Sequence, residues 1–278
     1  MKLKIKRWDI GTHLKKKPGS IILLLGKRGT GKSVLLQQIA YVMAQNGNID
    51  IAFGFSPTDE SNGVLSSFLP KSLIHSEFDE TVIQGIMNSQ KRALKQDKQL
   101  KRVVLFLDDC GYDSAKIFKS KVMKNLFYNG RHYNMGLVMS MQYCMDAGTS
   151  FRSNVDITIS LKEQIQSNRE RLWKQYFGAF ESMKEFNLAM NACTNDYSSI
   201  VCANNLSQSN ELTDSIFWYR AGVNLPHFTL GNTAVKKIDT LCYEDRELIL
   251  ANHHTESKDI DKIVQGDESG KTVIRRRR

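Results

Sequence analysis

At 278 residues, with 41% hydrophobic and 24% charged residues, the chain is long enough for one large α/β domain or two small ones, and its composition excludes a disordered, collagenous or coiled-coil protein. The longest apolar run near the start, Ile21 to Leu25, falls far short of the roughly 18 to 20 residues of a membrane span, and the lysine-rich first 17 residues lack the apolar core of a secretory signal. Of the net charge of +10, residues 1–17 carry +6 and residues 271–278 carry +5, which leaves −1 between them; such ends suit a polyanion, nucleic acid first, or serve only as solubilising tails.

Gly19 to Leu25 is an apolar run closed by Gly26, the pattern of a buried strand. After Lys32, Leu35, Leu36, Ile39, Ala40, Val42 and Met43 recur at helical spacing until Asn46-Gly47 stops them. Ile49 to Phe55 reads as a second strand ended by Ser56-Pro57, followed by a polar stretch and a helix from about Asp79 to Gln96. Lys101 to Asp109 is a third strand ending in two acids, and a helix from about Ser114 to Tyr128 leads to Asn129-Gly130-Arg131-His132. Gly136 to Met141 and Val155 to Leu161 are two more strands. The alternation calls for a parallel sheet covered by helices. Ser167 to about Cys193 is helical, with Leu172, Trp173, Tyr176 and Phe177 on one buried face, and Ser199 to Ala203 and Ser215 to Tyr219 are two further strands. The expected division is a basic arm over 1–17, a core over 18–165, helices and strands over 166–255 that complete or extend it as a small α+β addition, and a polar, disordered basic tail over 256–278. Cys110, Cys144, Cys193, Cys202 and Cys242 have no zinc-like spacing and read as reduced thiols, with Cys110 and Cys144 as packing residues.

Gly26-Lys27-Arg28-Gly29-Thr30-Gly31-Lys32-Ser33 matches the phosphate-binding loop pattern, with an apolar strand entering and an amphipathic helix leaving. Glycines let backbone N–H groups close around phosphate oxygens, and the positive helix N-terminus faces the same anion. Lys32 is expected to reach the β- and γ-phosphates and Ser33 to hold Mg²⁺. Such a loop needs an acid on a neighbouring strand, and Val103-Val104-Leu105-Phe106-Leu107-Asp108-Asp109 supplies two. Asp108 is the expected metal-side acid, direct or through water, and Asp109 is placed to orient or deprotonate an attacking water. The strand Leu137 to Met141 ends in Gln142, whose carboxamide suits a γ-phosphate sensor. Arg131 before that strand and Arg152 after it are the two candidates for an arginine finger acting on a neighbouring subunit.

The order of these pieces resembles the FtsK–HerA superfamily of DNA-pumping ATPases: the P-loop, the Asp-Asp strand, Gly130-Arg131-His132, the Ser140-Met141-Gln142 strand end, then Phe151-Arg152-Ser153-Asn154-Val155-Asp156. It is most similar to the viral branch, the genome-packaging ATPases of nucleocytoplasmic large DNA viruses. The likeness covers residues 18 to 165, and Phe217-Trp218-Tyr219-Arg220-Ala221 extends it. The resemblance implies a P-loop NTPase core of the additional-strand, catalytic-glutamate type with sheet order 5-1-4-3-2. It implies ATP and Mg²⁺ as cofactors, and a homo-oligomeric ring of five or six subunits around double-stranded DNA. A capsid or inner-membrane protein of the virion is the implied docking partner, with the host-cell cytoplasm, in the viral factory, as the implied location. It matches Lys32 and Ser33 to the phosphate and Mg²⁺ ligands, Asp108 to the second acid, Gln142 to the sensor and Arg131 to the trans-acting arginine. One departure stands out: cellular members carry glutamate at the catalytic position, where this chain has Asp109, one methylene shorter.

Lys91, Arg92, Lys95, Lys98, Lys101 and Arg102 form a basic stretch that suits either a solvated helix face or a DNA-tracking surface. Two other functions stay open on the residues alone. One is a phosphotransferase acting on a small molecule, and the other is a nucleotide-switched nucleic-acid-binding protein without turnover.

Overall fold

The computed structural model describes residues 4–17, 19–47, 49–145, 147–204 and 211–242, and within them nine strands form one sheet. The chain starts at a sheet edge with β1 (Lys6–Arg7) and α1 (Ile10–Lys16). β2 (Ile21–Leu25) leads into α2 (Lys32–Gln45), and β3 (Ile51–Phe55) leads through the one-turn α3 (Asp59–Asn62) to β4 (Ile74–His75) and α4 (Glu80–Lys95). β5 (Val103–Leu107) is followed by α5 (Ser114–Lys119) and α6 (Lys121–Asn129), and β6 (Met135–Met141) by the short α7 (Thr149–Arg152). β7 (Ile157–Ser160), α8 (Gln166–Tyr176), α9 (Met183–Cys193), β8 (Ser198–Ala203), α10 (Leu212–Ser215), β9 (Ile216–Arg220) and α11 (Thr233–Cys242) complete the path.

Across the sheet the strands lie in the order β1-β9-β8-β7-β2-β6-β5-β3-β4. The central five, β7, β2, β6, β5 and β3, are parallel to one another. Numbered in chain order, those five read 5-1-4-3-2 across the sheet. β8 then runs antiparallel to β7, and β9 antiparallel to β8.

Both faces of the central strands are buried, which is why these strands read as unbroken apolar runs. In β2, Ile21, Leu23 and Leu25 point into one core with Leu105, Leu137, Met87 and Leu126, whereas Ile22 and Leu24 point into the other with Leu36, Ile39, Phe106 and Val138. The two-residue period of a strand sorts its side chains between the two helix layers. All the residues of β2 and β5 are buried.

Two features depart from the sequence reading. The segment expected as a basic arm is folded: β1 pairs in parallel with β9, Trp8 is buried at 3% exposure, and Ile10, His13 and Leu14 of α1 are buried. The Trp8 indole donates to His13 Nδ1 at 3.0 Å and meets the Tyr219 ring edge-on. The single helix expected over 114–128 is two helices, because Ser120 is extended (φ −55°, ψ 130°); its hydroxyl accepts from the Met123 amide and donates to Glu80 Oε2 at 2.6 Å. The segment after residue 165 extends the sheet, with β8 beside β7, and residues through Lys237 form one compact unit. The second unit begins at Ile238, and the basic tail expected over 256–278 lies outside the described residues, as does the side chain of Cys242.

Cys110, Cys144, Cys193 and Cys202 are buried. Burial pushes the thiols of Cys110 and Cys202 up to about 12 and that of Cys193 to about 11, so they pack as small apolar groups.

Candidate active site

The site forms at the edge of the sheet where the parallel strands end. β2 stops at Leu25, and Gly26 to Gly31 turn the chain into α2. Gly29 (φ 75°) and Gly31 (φ 102°) occupy the left-handed region that side chains disfavour. A Cβ on Gly26 would come within 2.6 Å of Thr30 Oγ1 and 3.0 Å of the Leu161 side chain, so the loop closes this tightly only with glycine there. Lys32, the first residue of α2, curls back so that its ammonium donates to the Gly26 carbonyl at 2.7 Å. Burial pulls the Lys32 ammonium below the usual lysine range, against the opposing pull of the Asp109 and Asp108 carboxylates. Lys27 pairs with Glu163 at 2.9 Å across the loop's outer side.

Asp108 and Asp109 follow the last residue of β5, two strands from the loop. Asp108 is 4% exposed, and its carboxylate accepts a hydrogen bond from the Ser140 hydroxyl of β6. Burial pushes the Asp108 carboxyl above the ordinary carboxylate range; the Ser140 bond opposes this and the Asp109 charge adds to it. Asp109 takes a left-handed backbone conformation (φ 52°), which Asp tolerates, and its amide donates to the same Ser140 hydroxyl at 3.2 Å. The Asp109 carboxylate accepts from Gln142 Nε2 at 2.8 Å. Gln142 follows the last residue of β6, two residues past Ser140, which brings its amide to the same pair of acids.

Lys32, Ser33, Asp108, Asp109 and Gln142 line one cleft of about 610 Å³, together with Lys27, Arg28, Gly29 and Gly31. Its other lining residues are Val34 of α2, Thr58 just before α3 with Ser61 and Asn62 in it, Tyr197 before β8, and Arg220, Ala221 and Val223 at and after the end of β9. The reversal of β8 brings its start to the edge where the parallel strands end. Among the described residues, no cluster of three or more His, Cys, Asp or Glu is arranged to hold a metal alone. The Ser33 hydroxyl and the Asp108 carboxylate are two hard oxygen donors, a fit for Mg²⁺, which keeps several waters and takes phosphate oxygens for the rest of its shell.

The two arginines separate. Arg131 lies exposed just before β6, at the opposite sheet edge from Gln142, a strand length of about 20 Å away. It does not reach the cleft of its own chain. Arg152 is tied up locally, donating to the Ala147 carbonyl at 2.5 Å and to Thr149 Oγ1 at 3.2 Å. His132 is exposed beside Arg131. Sequence reasoning missed Ser140, Glu163, Tyr197 and Arg220 as site residues. The two-residue period back from Gln142 was a signal for Ser140; Tyr197 stands in a turn that only the folding of β8 beside β7 carries to the cleft.

A parallel sheet with a glycine-rich phosphate loop after one strand and paired acids after another defines a P-loop NTPase fold. No family model matches the chain. Protein 075L of Invertebrate iridescent virus 6 is 31% identical over 202 residues, covering 73% of this chain and 77% of that protein. Protein L437 of Acanthamoeba polyphaga mimivirus is 27% identical over 208 residues, covering 72% of each. In fold, the chain is similar to the genome packaging NTPase B204 of Sulfolobus turreted icosahedral virus 2 in complex with AMPPCP, with a TM-score of 0.52, 16% identity and coverage of 73% of this chain and 98% of that one. The chain belongs to one family with protein 075L of Invertebrate iridescent virus 6, and it shares the fold of the packaging NTPase from the archaeal virus.

Proposed function

We propose that this protein is a Mg²⁺-dependent ATPase that converts ATP hydrolysis into the movement of double-stranded DNA into a viral shell, working as a homo-oligomeric ring of five or six subunits. The observation that carries the reading is the Ser140-centred network: one hydroxyl ties Asp108 and Asp109 together, Gln142 holds the Asp109 carboxylate, and Lys32 faces them across the cleft. The observed strand order supports assignment to the additional-strand, catalytic-glutamate class, with Asp109 in the glutamate's role. Each residue then has a task. The amides at the start of α2 and the Lys32 ammonium bind phosphate, and Ser33 and Asp108 hold the metal, which neutralises charge on the transferred group. Asp109 accepts a proton from the attacking water, and the Gln142 amide fixes the carboxylate's orientation for that step. Arg131 serves the nucleotide of the adjacent subunit. Docking to a capsid or inner-membrane protein in the cytoplasmic viral factory completes the proposal.

The test is ATP hydrolysis measured with and without long duplex DNA across a salt series. Stimulation by DNA that fades as salt rises supports the translocase, because phosphate contacts weaken steeply with salt. Turnover that needs a small phosphoryl acceptor and ignores DNA would replace it with a phosphotransferase.

A further inference from the structure

The cleft changes character along its length. The acids of β5 and Gln142 of β6 lie on one side of the P-loop strand β2, and β8 and β9 lie on the other. On the acid side the groups suit metal and terminal phosphate. On the β8–β9 side, the lining residues include Tyr197 and Val223, which are 70% and 79% exposed, two of the seven exposed large hydrophobic residues among those described.

Tyr197 is also held in an unfavourable backbone state. Asp196 (φ 49°) and Tyr197 (φ 59°) are consecutive left-handed residues just before β8. For a bulky side chain this conformation costs free energy, and it points the ring at the P-loop, 3.4 Å from where a Cβ on Gly31 would sit. Val223 is fixed in turn: the Gly222 amide donates to the buried Gln38 Oε1 of α2 at 2.9 Å. Between them, Arg220 is exposed at the end of β9, directly across from Ser198 in the strand register.

We infer that Tyr197 and Val223 form the seat of the nucleobase, with the base stacked on the Tyr197 ring and Arg220 directed at the ribose and α-phosphate. The inference rests on the P-loop reading and adds to it how the site distinguishes a nucleoside triphosphate from a bare polyphosphate. An aromatic face accepts any base and favours the larger ring area of a purine, so ATP and GTP bind alike and more tightly than CTP.

Calorimetric titration of the full chain with the Mg²⁺ complexes of ATP, GTP, CTP and tripolyphosphate tests this. Tyr197→Ala is expected to weaken ATP binding by roughly 5- to 100-fold, with Tyr197→Phe near wild type and tripolyphosphate affinity unchanged. Tyr197→Gly is expected to lose affinity in the same way while melting no lower than wild type, because glycine takes the left-handed turn without strain. Wild-type ATP affinity in Tyr197→Ala overturns the base seat; if Lys32→Ala still loses ATP, the P-loop reading stands without it. Equal losses for ATP and tripolyphosphate in both Tyr197→Ala and Tyr197→Gly also overturn it, since the residue would then shape the loop and not hold the base. Retained ATP affinity in Lys32→Ala counts against the P-loop reading itself.

Discussion

At the scale of single residues, the proposed mechanism sets binding and turnover on different side chains. In that mechanism, Lys32 neutralises phosphate charge in both ground and transition states. Lys32→Ala is expected to weaken ATP binding by about 10- to 150-fold, the equivalent of about 1.5 to 3 kcal/mol for a charge-assisted hydrogen bond, and to abolish hydrolysis. Titration with ATP and a phosphate-release assay check it together. Asp109→Asn keeps the shape and the contact to Gln142 but cannot take a proton. Hydrolysis is expected to fall by about 10²- to 10⁴-fold with ATP affinity retained; loss of affinity as complete as in Lys32→Ala would make Asp109 a binding residue. Asp108 gives a prediction on stability. Its folded-state carboxyl titrates above the unfolded value because burial disfavours the charge. The folded state therefore gains from protonation at low pH, and that gain is lost as pH rises through the raised value, so at neutral pH the buried charge destabilises. Asp108→Asn is expected to raise the melting temperature at pH 7 while abolishing Mg²⁺-dependent turnover, and the gap to wild type is expected to close as pH falls through the raised Asp108 value. Melting curves from pH 4 to 8 check the sign. The gathering of these residues in one cleft was legible because the P-loop, the acid pair and Gln142 are contiguous motifs at strand ends. Ser140 carries no motif of its own; only its register on β6 reveals that one hydroxyl serves both acids.

At the scale of elements, the informative case is the first 17 residues. Their lysines suggested a solvated arm, yet Ile10, His13 and Leu14 recur at the i, i+3, i+4 spacing of a buried helix stripe. Lysine density masked that period. Trp8 closes the layer between α1 and β9, so Trp8→Ala is expected to cost about 3 to 5 kcal/mol, read from chemical denaturation with an unchanged slope. An arm free in solvent would show no such loss. The central strands were legible for a physical reason: strands covered on both faces read as apolar runs, and those of β2, β3 and β5 stop at Gly26, Ser56-Pro57 and Asp108-Asp109. The break between α5 and α6 was not, because apolar spacing continues through Ser120 and only its backbone conformation and cap interrupt the helix. β4 is two residues long, too short for any pattern.

At the scale of the whole molecule, the position of Arg131 has consequences for assembly. It stands at the sheet edge opposite its own nucleotide cleft, so a role in hydrolysis requires a second subunit. Arg131→Ala is expected to leave ATP binding nearly intact and slow hydrolysis by about 10³- to 10⁵-fold. Neither Arg131→Ala nor Asp109→Asn homomers would contain a complete site. Mixed assemblies would pair an intact Asp109 with an intact Arg131 at some interfaces, so ATPase activity is expected to reappear on mixing and to peak near equal proportions. Activity that stays at baseline while subunits demonstrably exchange would exclude the trans arrangement.

The central claim, that hydrolysis moves duplex DNA, is tested most directly by displacement of a fluorescent third strand from a triplex on linear double-stranded DNA. Wild-type protein with Mg²⁺ and ATP is predicted to strip the third strand at a rate that rises with ATP concentration, whereas Asp109→Asn binds the same DNA and nucleotide and leaves the triplex in place. Rapid ATP hydrolysis on that DNA with the triplex intact would contradict the account.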